Sequence, residues 1–267
     1  MDEPREEAIY LLAALLKLRR GSLLSSLDGL LDPALVGRFE GWLTRREGRE
    51  PAQQILGDQE FYGLNFFVSR DVLIPRPETE MLVDWLIERA PESASVVDIG
   101  SGSGCIAISA AVKRPDLKLQ AVERSPAALE IARRNAEAHG VSDRIRFHKL
   151  DFMLFEAAAT FDVVVSNPPY ISRADWEQLQ PEVRLFEPLG ALVPGESGLE
   201  AYAALVGRAR GWLKPNGVCL LEVGAGQARE VESLAREAGF DRVDVDKDLN
   251  GIERLLLLHL PTAKLRP

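Results

Sequence analysis

The spacing of apolar residues along the chain changes close to Glu78. Before it, apolar positions recur mainly at helical spacing, about every three to four residues. After it, short apolar runs of strand length alternate with helical stretches. Strands that alternate with helices are typical of a mainly parallel sheet with helices on both faces. The pattern therefore predicts a small helical region followed by a larger, doubly wound α/β unit.

Two helices are predicted within the first fifty or so residues. The apolar face of the first consists of Ala8, Leu11, Leu12, Leu15 and Leu16. The second begins at Asp32, a capping residue followed by a proline in the first turn, and ends before Gly48. Its positions expected to be buried are Leu35, Val36, Phe39, Trp42 and Leu43. This region is too short for a sizeable core of its own, so we expect it to dock on the rest of the chain.

The next segment reads as turns and short strands rather than helix. It concentrates four aromatic residues, Phe61, Tyr62, Phe66 and Phe67. We therefore expect a helical recognition domain over 1–50, a linker with a short β-hairpin over 51–77, and an α/β domain over 78–267. The sequence contains no internal repeat and no low-complexity tract.

The α/β part is predicted to form a sheet of seven strands with intervening helices. The strands are expected at 95–99, 118–122, 145–148, 161–166, 218–223, 242–245 and 255–260. The helices after residue 100 are expected at 105–113, 126–138, 200–213 and 227–238. Only a short link containing Asn250-Gly251 separates the last two strands. Such a link favours a hairpin, so the last strand should be antiparallel to its neighbours.

Composition narrows the class of protein without identifying it. The chain has 267 residues, of which 46% are hydrophobic and 27% charged, as in ordinary globular proteins. A net charge of −9 disfavours tight non-specific binding to nucleic acid, although it leaves room for a local basic patch. No apolar run approaches the roughly 20 residues of a membrane span, and the acidic N-terminus is unlike a targeting peptide. We therefore expect a cytoplasmic protein.

Cysteine and histidine usage argues against a metal centre. The two cysteines, Cys105 and Cys219, are far apart and lie in apolar stretches, so they are expected to be buried free thiols. The three histidines are scattered along the chain at His139, His148 and His259. No spacing typical of metal ligands is present, and we expect no bound metal.

The most informative segment is the tetrapeptide Asn167-Pro168-Pro169-Tyr170, at the end of the predicted strand 161–166. Two successive prolines fix the backbone and remove two N–H donors. The result is a stiff turn whose carbonyl oxygens lack internal partners. Asn167 adds a side-chain acceptor and Tyr170 a flat ring. This combination suits a clamp for a planar group that carries –NH2.

A glycine-rich loop follows the strand at 95–99, in the order Asp98, Ile99, Gly100, Ser101, Gly102, Ser103 and Gly104. Glycines let the backbone approach a ligand closely, and Glu123 after the next strand can accept both hydroxyls of a ribose. Dinucleotides usually require the spacing G-x-G-x-x-G. The closer spacing here suits S-adenosylmethionine, whose ammonium Asp98 could hold directly or through water. A purely structural glycine turn is the alternative.

Asp151 and Phe152 follow the strand at 145–148 and should reach the same edge of the sheet. Asp151 could accept a hydrogen bond from an adenine amino group, and Phe152 could pack on the base. A turn aspartate and a core phenylalanine are equally reasonable interpretations of these two residues.

Together these features resemble the HemK/PrmC family of protein-(glutamine-N5) methyltransferases, which modify peptide-chain release factors. The resemblance covers nearly the whole chain. Besides the glycine loop and Asn135, it rests on the stretches FYGLNFFV (61–68), LIPRPETE (73–80), SNPPY (166–170), FEP (186–188), GLEAY (198–202) and DLNGIER (248–254). The combination of LIPRPETE with SNPPY is specific. The NPPY turn alone is not, because amino-methyltransferases of DNA and RNA use similar turns.

The resemblance implies an N-terminal domain that recognises the release factor and a class I methyltransferase domain that binds S-adenosylmethionine. It implies that Gly100 to Gly104, Glu123, Phe152 and Asn167 contact the cofactor, and that Asn167 to Tyr170 hold the substrate glutamine. It places Arg76 near the active site, and Phe66 could line the glutamine pocket or belong to a core between domains. Glu123 replaces the more common Asp, and Phe152 replaces the Trp of some members.

Three other functions compete with this interpretation. An amino-methyltransferase acting on adenine or guanine in nucleic acid is the closest, but the acidic charge and the LIPRPETE stretch weigh against it. A non-catalytic module that binds release factors would not need an intact clamp and cofactor loop. A nicotinamide dehydrogenase would need a pyrophosphate-binding loop of a different spacing.

Overall fold

The computed structural model of the protein describes residues 4–24 and 32–261. The helices are α1 (Pro4–Leu16), α2 (Arg20–Leu24), α3 (Pro33–Glu47), α4 (Ala52–Leu56), α5 (Glu80–Arg89), α6 (Cys105–Lys113), α7 (Pro126–Ala138), α8 (Arg173–Gln178), α9 (Pro181–Phe186), α10 (Leu189–Leu192), α11 (Glu200–Trp212) and α12 (Ala228–Glu237). The strands are β1 (Asp58–Phe61), β2 (Leu64–Phe67), β3 (Ser95–Ile99), β4 (Lys118–Glu123), β5 (Ile145–Lys149), β6 (Phe161–Ser166), β7 (Leu213–Glu222), β8 (Arg242–Lys247) and β9 (Glu253–His259).

Seven strands form one sheet in the order β5-β4-β3-β6-β7-β9-β8. The pairs among β5, β4, β3, β6 and β7 are parallel, whereas β9 is antiparallel to both β7 and β8. The predicted parallel sheet with a closing hairpin is therefore confirmed. The chain leaves β3 towards β4 and returns on the other side at β6. In such sheets a crevice opens at this point, beyond the carboxyl ends of the strands.

Both faces of the sheet are covered by helices. Side chains alternate along each strand, so neighbouring valines point to opposite faces. Val96 and Val163 pack with residues of α5 and α6 on one face. Val97 and Val164 pack with residues of α11 and α12 on the other face. Because both faces are buried, the central strands are continuous apolar runs rather than alternating ones.

The N-terminal helices pack on one another and are held to the rest of the chain by polar contacts. Leu11, Ala52 and Ile55 form a small core. Arg46 and Arg49 both donate to Glu182 in α9, at 2.8 and 2.6 Å. The expected docking of this region is therefore confirmed.

The burial expected for α3 is only partly confirmed, since Phe39, Trp42 and Leu43 pack against the small core without being fully buried. Asp32 caps the helix as predicted, its side chain accepting from the backbone amide of Ala34 at 2.8 Å. The apolar positions, however, are at most half-buried, and Val36 is exposed. The helix is covered on one side only, so its sole fully buried side chain is that of Arg46, which pairs with Glu7 and Glu182.

The two largest remaining differences from the sequence prediction concern the start of β7 and three short helices. Strand β7 begins at Leu213 rather than at 218, because Leu213 pairs with Phe161 across an irregularity in the register of β6. Helices α8, α9 and α10 were not predicted, since each has only four to six residues and lacks a readable apolar period. These three helices follow the proline turn, and α10 lines the cavity at the carboxyl edge of the sheet.

Cys105 and Cys219 are buried free thiols, as predicted. Within residues 4–24 and 32–261, no helix is long and apolar enough to cross a membrane. The same residues contain no group of three or more His, Cys, Asp or Glu side chains that could hold a metal ion.

Candidate active site

A cavity of about 570 Å³ opens at the carboxyl edge of the sheet, where β3, β4 and β6 end. Its size is typical of small-molecule sites. Eight residues singled out from the sequence line it together, namely Gly100, Gly102, Glu123, Asp151, Phe152, Asn167, Pro168 and Pro169. The opposite wall comes from the segment around α10. One cavity therefore brings together the glycine loop, the acidic residue after β4 and the proline turn.

The glycine loop is shaped by left-handed backbone positions that favour glycine. Gly100, Gly102 and Gly104 have φ values of 72°, 54° and 81°. The amides of Gly100 and Ser101 donate to the carbonyl of Val122, and the amide of Gly104 donates to Ser101. The amide of Gly102 donates to the Glu123 carboxylate at 3.0 Å. Because these donors are used within the chain, they do not offer the amide cradle that a pyrophosphate needs.

The Glu123 carboxylate is held firmly at the end of β4. One oxygen accepts from Gly102, and the other accepts from the amide of Ser125 at 2.8 Å. A carboxylate oxygen has two lone-pair sites, so each oxygen retains one for a further donor. The side chain lines the cavity. This geometry fits the predicted role of accepting two ribose hydroxyls.

Asp98 lies beneath the glycine loop and is completely buried. No side chain of the described residues hydrogen-bonds to its carboxylate, and the contact that favours the charged form is the backbone amide of Ala107. Burial raises the pKa of Asp98 to about 7; the Ala107 amide opposes this shift and the charge of Glu123 adds to it. A buried carboxylate without a charged partner is costly, which is typical of groups retained for ligand binding. Asp98 does not line the cavity, so the predicted ammonium contact is not seen in this arrangement of the loop and stays a prediction.

We expect Asp98→Asn to stabilise the free protein while weakening its response to cofactor. The pKa in the fold is raised above the unfolded value near 4, so ionisation penalises the fold above about pH 7 and not below about pH 4. The melting temperature of the variant should exceed that of the wild type by roughly 2 °C or more near pH 8, and the difference should vanish near pH 4. Thermal melts at both pH values measure this.

The control is Asp241→Asn at an exposed position, which should leave the melting temperature unchanged at both pH values. S-adenosylmethionine should raise the melting temperature of the wild type more than that of Asp98→Asn. Equal melting temperatures near pH 8 would contradict the burial argument. An equal response to the cofactor would remove the ammonium role.

Asp151 and Phe152 lie at the far end of the cavity, after β5. One oxygen of Asp151 accepts from the amide of Met153 at 2.9 Å and caps a short 3-10 helix. Phe152 is half-buried and packs against residues of the core around α11. Both side chains also line the cavity, so the structural and the binding interpretations are compatible for each.

The proline turn joins the cavity wall directly to β3. The hydroxyl of Ser166 donates to the carbonyl of Ile99 at 2.7 Å, which ties the start of the turn to the neighbouring strand. The Asn167 side chain donates through Nδ2 to the hydroxyl of Thr79 at 3.0 Å. No donor in residues 4–24 and 32–261 contacts Asn167 Oδ1 or the carbonyl oxygen of Pro168. The two acceptors are therefore available to a ligand.

Tyr170 sits beside the cavity rather than in its wall, and it is half-buried. Its carbonyl oxygen accepts from the Gln227 side chain at 3.0 Å. A Cβ atom at Gly198 would lie 2.6 Å from that oxygen, and one at Gly224 would lie 3.0 Å from the tyrosine ring. Burial raises the pKa of Tyr170 to about 12, so the phenol stays neutral. Its packing holds the turn, and only its exposed part is left for a substrate.

Besides Tyr170 and Asp98, four other predicted residues do not line the cavity. Ser101, Ser103 and Gly104 are buried behind the loop surface, where the Ser103 carbonyl accepts from Asn135 at 2.9 Å. Phe66 is completely buried and packs edge-on against Phe61. The suggestion that Phe66 contacts substrate is therefore replaced by the core interpretation.

Arg76 is also outside the cavity wall. It forms an ion pair with Glu187, whose other oxygen accepts from the amide of Ile74 at 3.1 Å. These contacts attach the segment before α5 to the segment before α10. Arg76 therefore holds these two segments together, and its role near the substrate stays a prediction.

Sequence reasoning missed two buried residues behind Asn167. The Thr79 hydroxyl that meets Asn167 donates in turn to the Glu222 carboxylate at 2.6 Å. Glu222 ends the apolar run of β7, at the same edge as Glu123 and Asn167. A charged residue at the carboxyl end of a buried parallel strand is a signal that could have been used. Thr79 gave no signal beyond its place in the LIPRPETE stretch.

Comparisons with known proteins agree with this geometry. A family model described as methyltransferase small domain matches residues 77–184, and one described as PrmC N-terminal domain matches residues 1–57. The release factor glutamine methyltransferase of Geobacter sulfurreducens is 44% identical over 258 residues, covering 96% of this chain and 89% of that protein. The release factor glutamine methyltransferase of Cereibacter sphaeroides is 42% identical, covering 98% and 94%.

Solved structures resemble the fold at lower identity. A methyltransferase from Pyrococcus furiosus has a TM-score of 0.55 at 18% identity, covering 82% of this chain and 96% of that chain. The ribosomal protein L11 methylase of Lactobacillus delbrueckii subsp. bulgaricus has a TM-score of 0.52 at 20% identity, covering 70% and 81%. At this identity the likeness establishes the fold and nothing finer.

Proposed function

This chain belongs to the release factor glutamine methyltransferase family, and we propose that its proline turn holds the glutamine side chain of a peptide-chain release factor for methylation. The protein is an S-adenosylmethionine-dependent methyltransferase that acts on the side-chain amide nitrogen of glutamine. The target is the glutamine of the GGQ sequence in class 1 release factors. One observation supports the turn's role above all: Asn167 Oδ1 and the Pro168 carbonyl are unpartnered acceptors beside the glycine loop.

The residues around the cavity divide between cofactor and substrate. When bound, S-adenosylmethionine supplies an electrophilic methyl group on a positively charged sulfur. The glycine loop and Glu123 would hold the ribose, Phe152 and Asp151 the adenine, and Asp98 the ammonium group. The loop fits this cofactor because its amides are already used and no phosphate has to be held.

The protein must activate and orient the substrate amide for methyl transfer. The nitrogen of a glutamine side chain is a weak nucleophile because its lone pair is delocalised into the carbonyl group. Asn167 Oδ1 and the Pro168 carbonyl would accept its two N–H hydrogens. Two such acceptors orient the nitrogen towards the methyl group and stabilise the positive charge that develops on it. Positioning and matched dipoles would therefore provide most of the rate enhancement.

The helical region is proposed to contribute to recognition of the release factor. Over residues 1–50 it carries helices that pack on one another, followed by the linker of 51–77 and the catalytic domain of 78–267. Arg46 of α3 and Arg49 just after it both bind Glu182 on α9, which lies along the chain between the proline turn and α10. A protein held by the helices would thus be held close to the cavity.

The decisive experiment mixes the protein, labelled S-adenosylmethionine and an unmethylated release factor, and locates the label by peptide mass mapping. We expect one methyl group on the glutamine of the GGQ sequence. The matched control is the same factor with that glutamine replaced by asparagine, which shortens the side chain and should receive no label. Label in nucleic acid but not in the factor would overturn the proposal.

A further inference from the structure

A chain of three hydrogen-bonded side chains runs from the cavity into the interior. Asn167 Nδ2 donates to Thr79 Oγ1 at 3.0 Å, and Thr79 Oγ1 donates to Glu222 Oε2 at 2.6 Å. Thr79 and Glu222 are only 2% and 3% exposed. The three residues come from the proline turn, the 3-10 helix before α5 and the end of β7. Only Asn167 reaches the cavity.

The direction of these bonds follows from donor and acceptor chemistry. An ionised carboxylate can only accept, so the single hydroxyl hydrogen of Thr79 is used on Glu222. The hydroxyl can then only accept from Asn167, which fixes Nδ2 of the carboxamide towards Thr79. The oxygen of the carboxamide must consequently face the cavity. In the opposite orientation, –NH2 would face the –NH2 of a glutamine and repel it.

We propose that Thr79 and Glu222 are positioning residues, which hold the Asn167 carboxamide with its oxygen towards the substrate amide as long as Glu222 is ionised. This inference rests on the proposed function, in which Asn167 accepts a hydrogen from the substrate. Neither residue touches substrate or cofactor. Their effect reaches the reaction through the orientation of one amide group.

The surroundings of Glu222 make its charge sensitive to pH. Burial raises the pKa of Glu222 to about 7, and Glu78 adds to the shift, whereas the Thr79 hydrogen bond, Arg254 and Arg76 oppose it. The other titratable groups facing it are Tyr170, Tyr202 and Cys105, all with pKa values raised by burial and therefore neutral at pH 7. Among the groups that face Glu222, it is therefore Glu222 itself whose charge changes near neutral pH; Asp98, on the other side of Cys105, has a pKa that is also about 7.

Protonation of Glu222 would release the constraint. A neutral carboxyl group can donate to the Thr79 hydroxyl, whose own hydrogen can then turn towards Asn167. Asn167 would satisfy that donor by rotating its oxygen towards Thr79, which leaves –NH2 facing the substrate. Activity should therefore decrease as the pH falls through the pKa of Glu222. Above that pKa the enzyme should have its full activity.

The test uses Thr79→Val, which removes the hydroxyl at similar size, with Thr79→Ser as the conservative variant that keeps it. Turnover of a release factor is measured from about pH 6 to pH 9. For the wild type, kcat should fall about tenfold per pH unit below pH 7, with little change in KM. Thr79→Val should lower kcat roughly tenfold or more at pH 8, whereas Thr79→Ser, which keeps the hydroxyl, should retain most of the wild-type kcat.

Glu222→Gln provides a second, independent variant. The glutamine amide does not titrate, so kcat of this variant should lose the part of the pH dependence that comes from Glu222, and at saturating cofactor it should fall less below pH 7 than kcat of the wild type. Melting temperature and calorimetric affinity for S-adenosylmethionine show whether each variant is folded. Equal kcat for Thr79→Val and Thr79→Ser, or a wild-type pH profile in Glu222→Gln, would overturn the inference.

The outcomes also separate this inference from the function on which it rests. If Asn167→Ala is inactive while Thr79→Val behaves as the wild type, only the positioning role fails. If Asn167→Ala itself turns over normally, the proposed grip on glutamine fails as well.

Discussion

Asn167→Ala is expected to lower kcat for release-factor methylation by roughly 10- to 100-fold, because one of the two acceptors for the substrate amide is removed. Loss of a hydrogen-bond partner at a buried group costs about 1–3 kcal/mol, and this cost applies to the transition state here. The decrease in kcat is greater if the substrate amide is also held in the wrong orientation. Steady-state kinetics with varied release factor at saturating cofactor measures kcat and KM separately.

Asn65→Ala is the matched control, since it makes the same chemical change at an exposed asparagine of β2. The control should keep normal kinetics, and calorimetry should find cofactor affinity largely preserved in both variants. Near-normal turnover of Asn167→Ala would rule out the clamp.

Gly198→Ala is expected to impair both stability and turnover, although Gly198 lies outside the cavity wall. Gly198 has φ of +83°, and an added Cβ would lie 2.6 Å from the Tyr170 carbonyl oxygen and 3.0 Å from the Ser172 amide nitrogen. Both neighbours are backbone atoms, so the proline turn itself must move. Overpacking of this kind costs about 1–3 kcal/mol, and left-handed backbone adds about 1–2 kcal/mol.

We expect the melting temperature of Gly198→Ala to fall by several degrees, and kcat to fall roughly tenfold, since the displaced turn carries Asn167. Gly207→Ala is the matched control, because Gly207 lies in α11 with no atom within 4 Å of the added Cβ. The control should be as stable as the wild type or slightly more stable. Equal kcat for Gly198→Ala and Gly207→Ala would show that the close approach of Gly198 to the Tyr170 carbonyl does not fix the position of the proline turn.

Much of the fold could be predicted because its signals are local. The bounds of β3, α6, α7 and β6 agree with prediction, since each is a strand-length apolar run or an amphipathic stretch with clear ends. The burial of α3 was only partly predicted, because periodicity shows which face is apolar but not how completely another element covers it. The start of β7 was wrong because pairing with Phe161 extends the strand through residues that lack an apolar pattern.

The sequence by itself determined the order of strands and helices, the glycine loop, the proline turn and their meeting at one edge of the sheet. These follow from residue types and spacing, and from the rule that the carboxyl ends of parallel strands share an edge. Only the tertiary structure decided that Thr79 and Glu222, 143 positions apart, stand behind Asn167. It also decided that Phe66 belongs to the core and that Asp98 is completely buried without a charged partner. Hydrogen-bond partners, burial and pKa depend on which distant segments pack together, and no local pattern of residues specifies that packing.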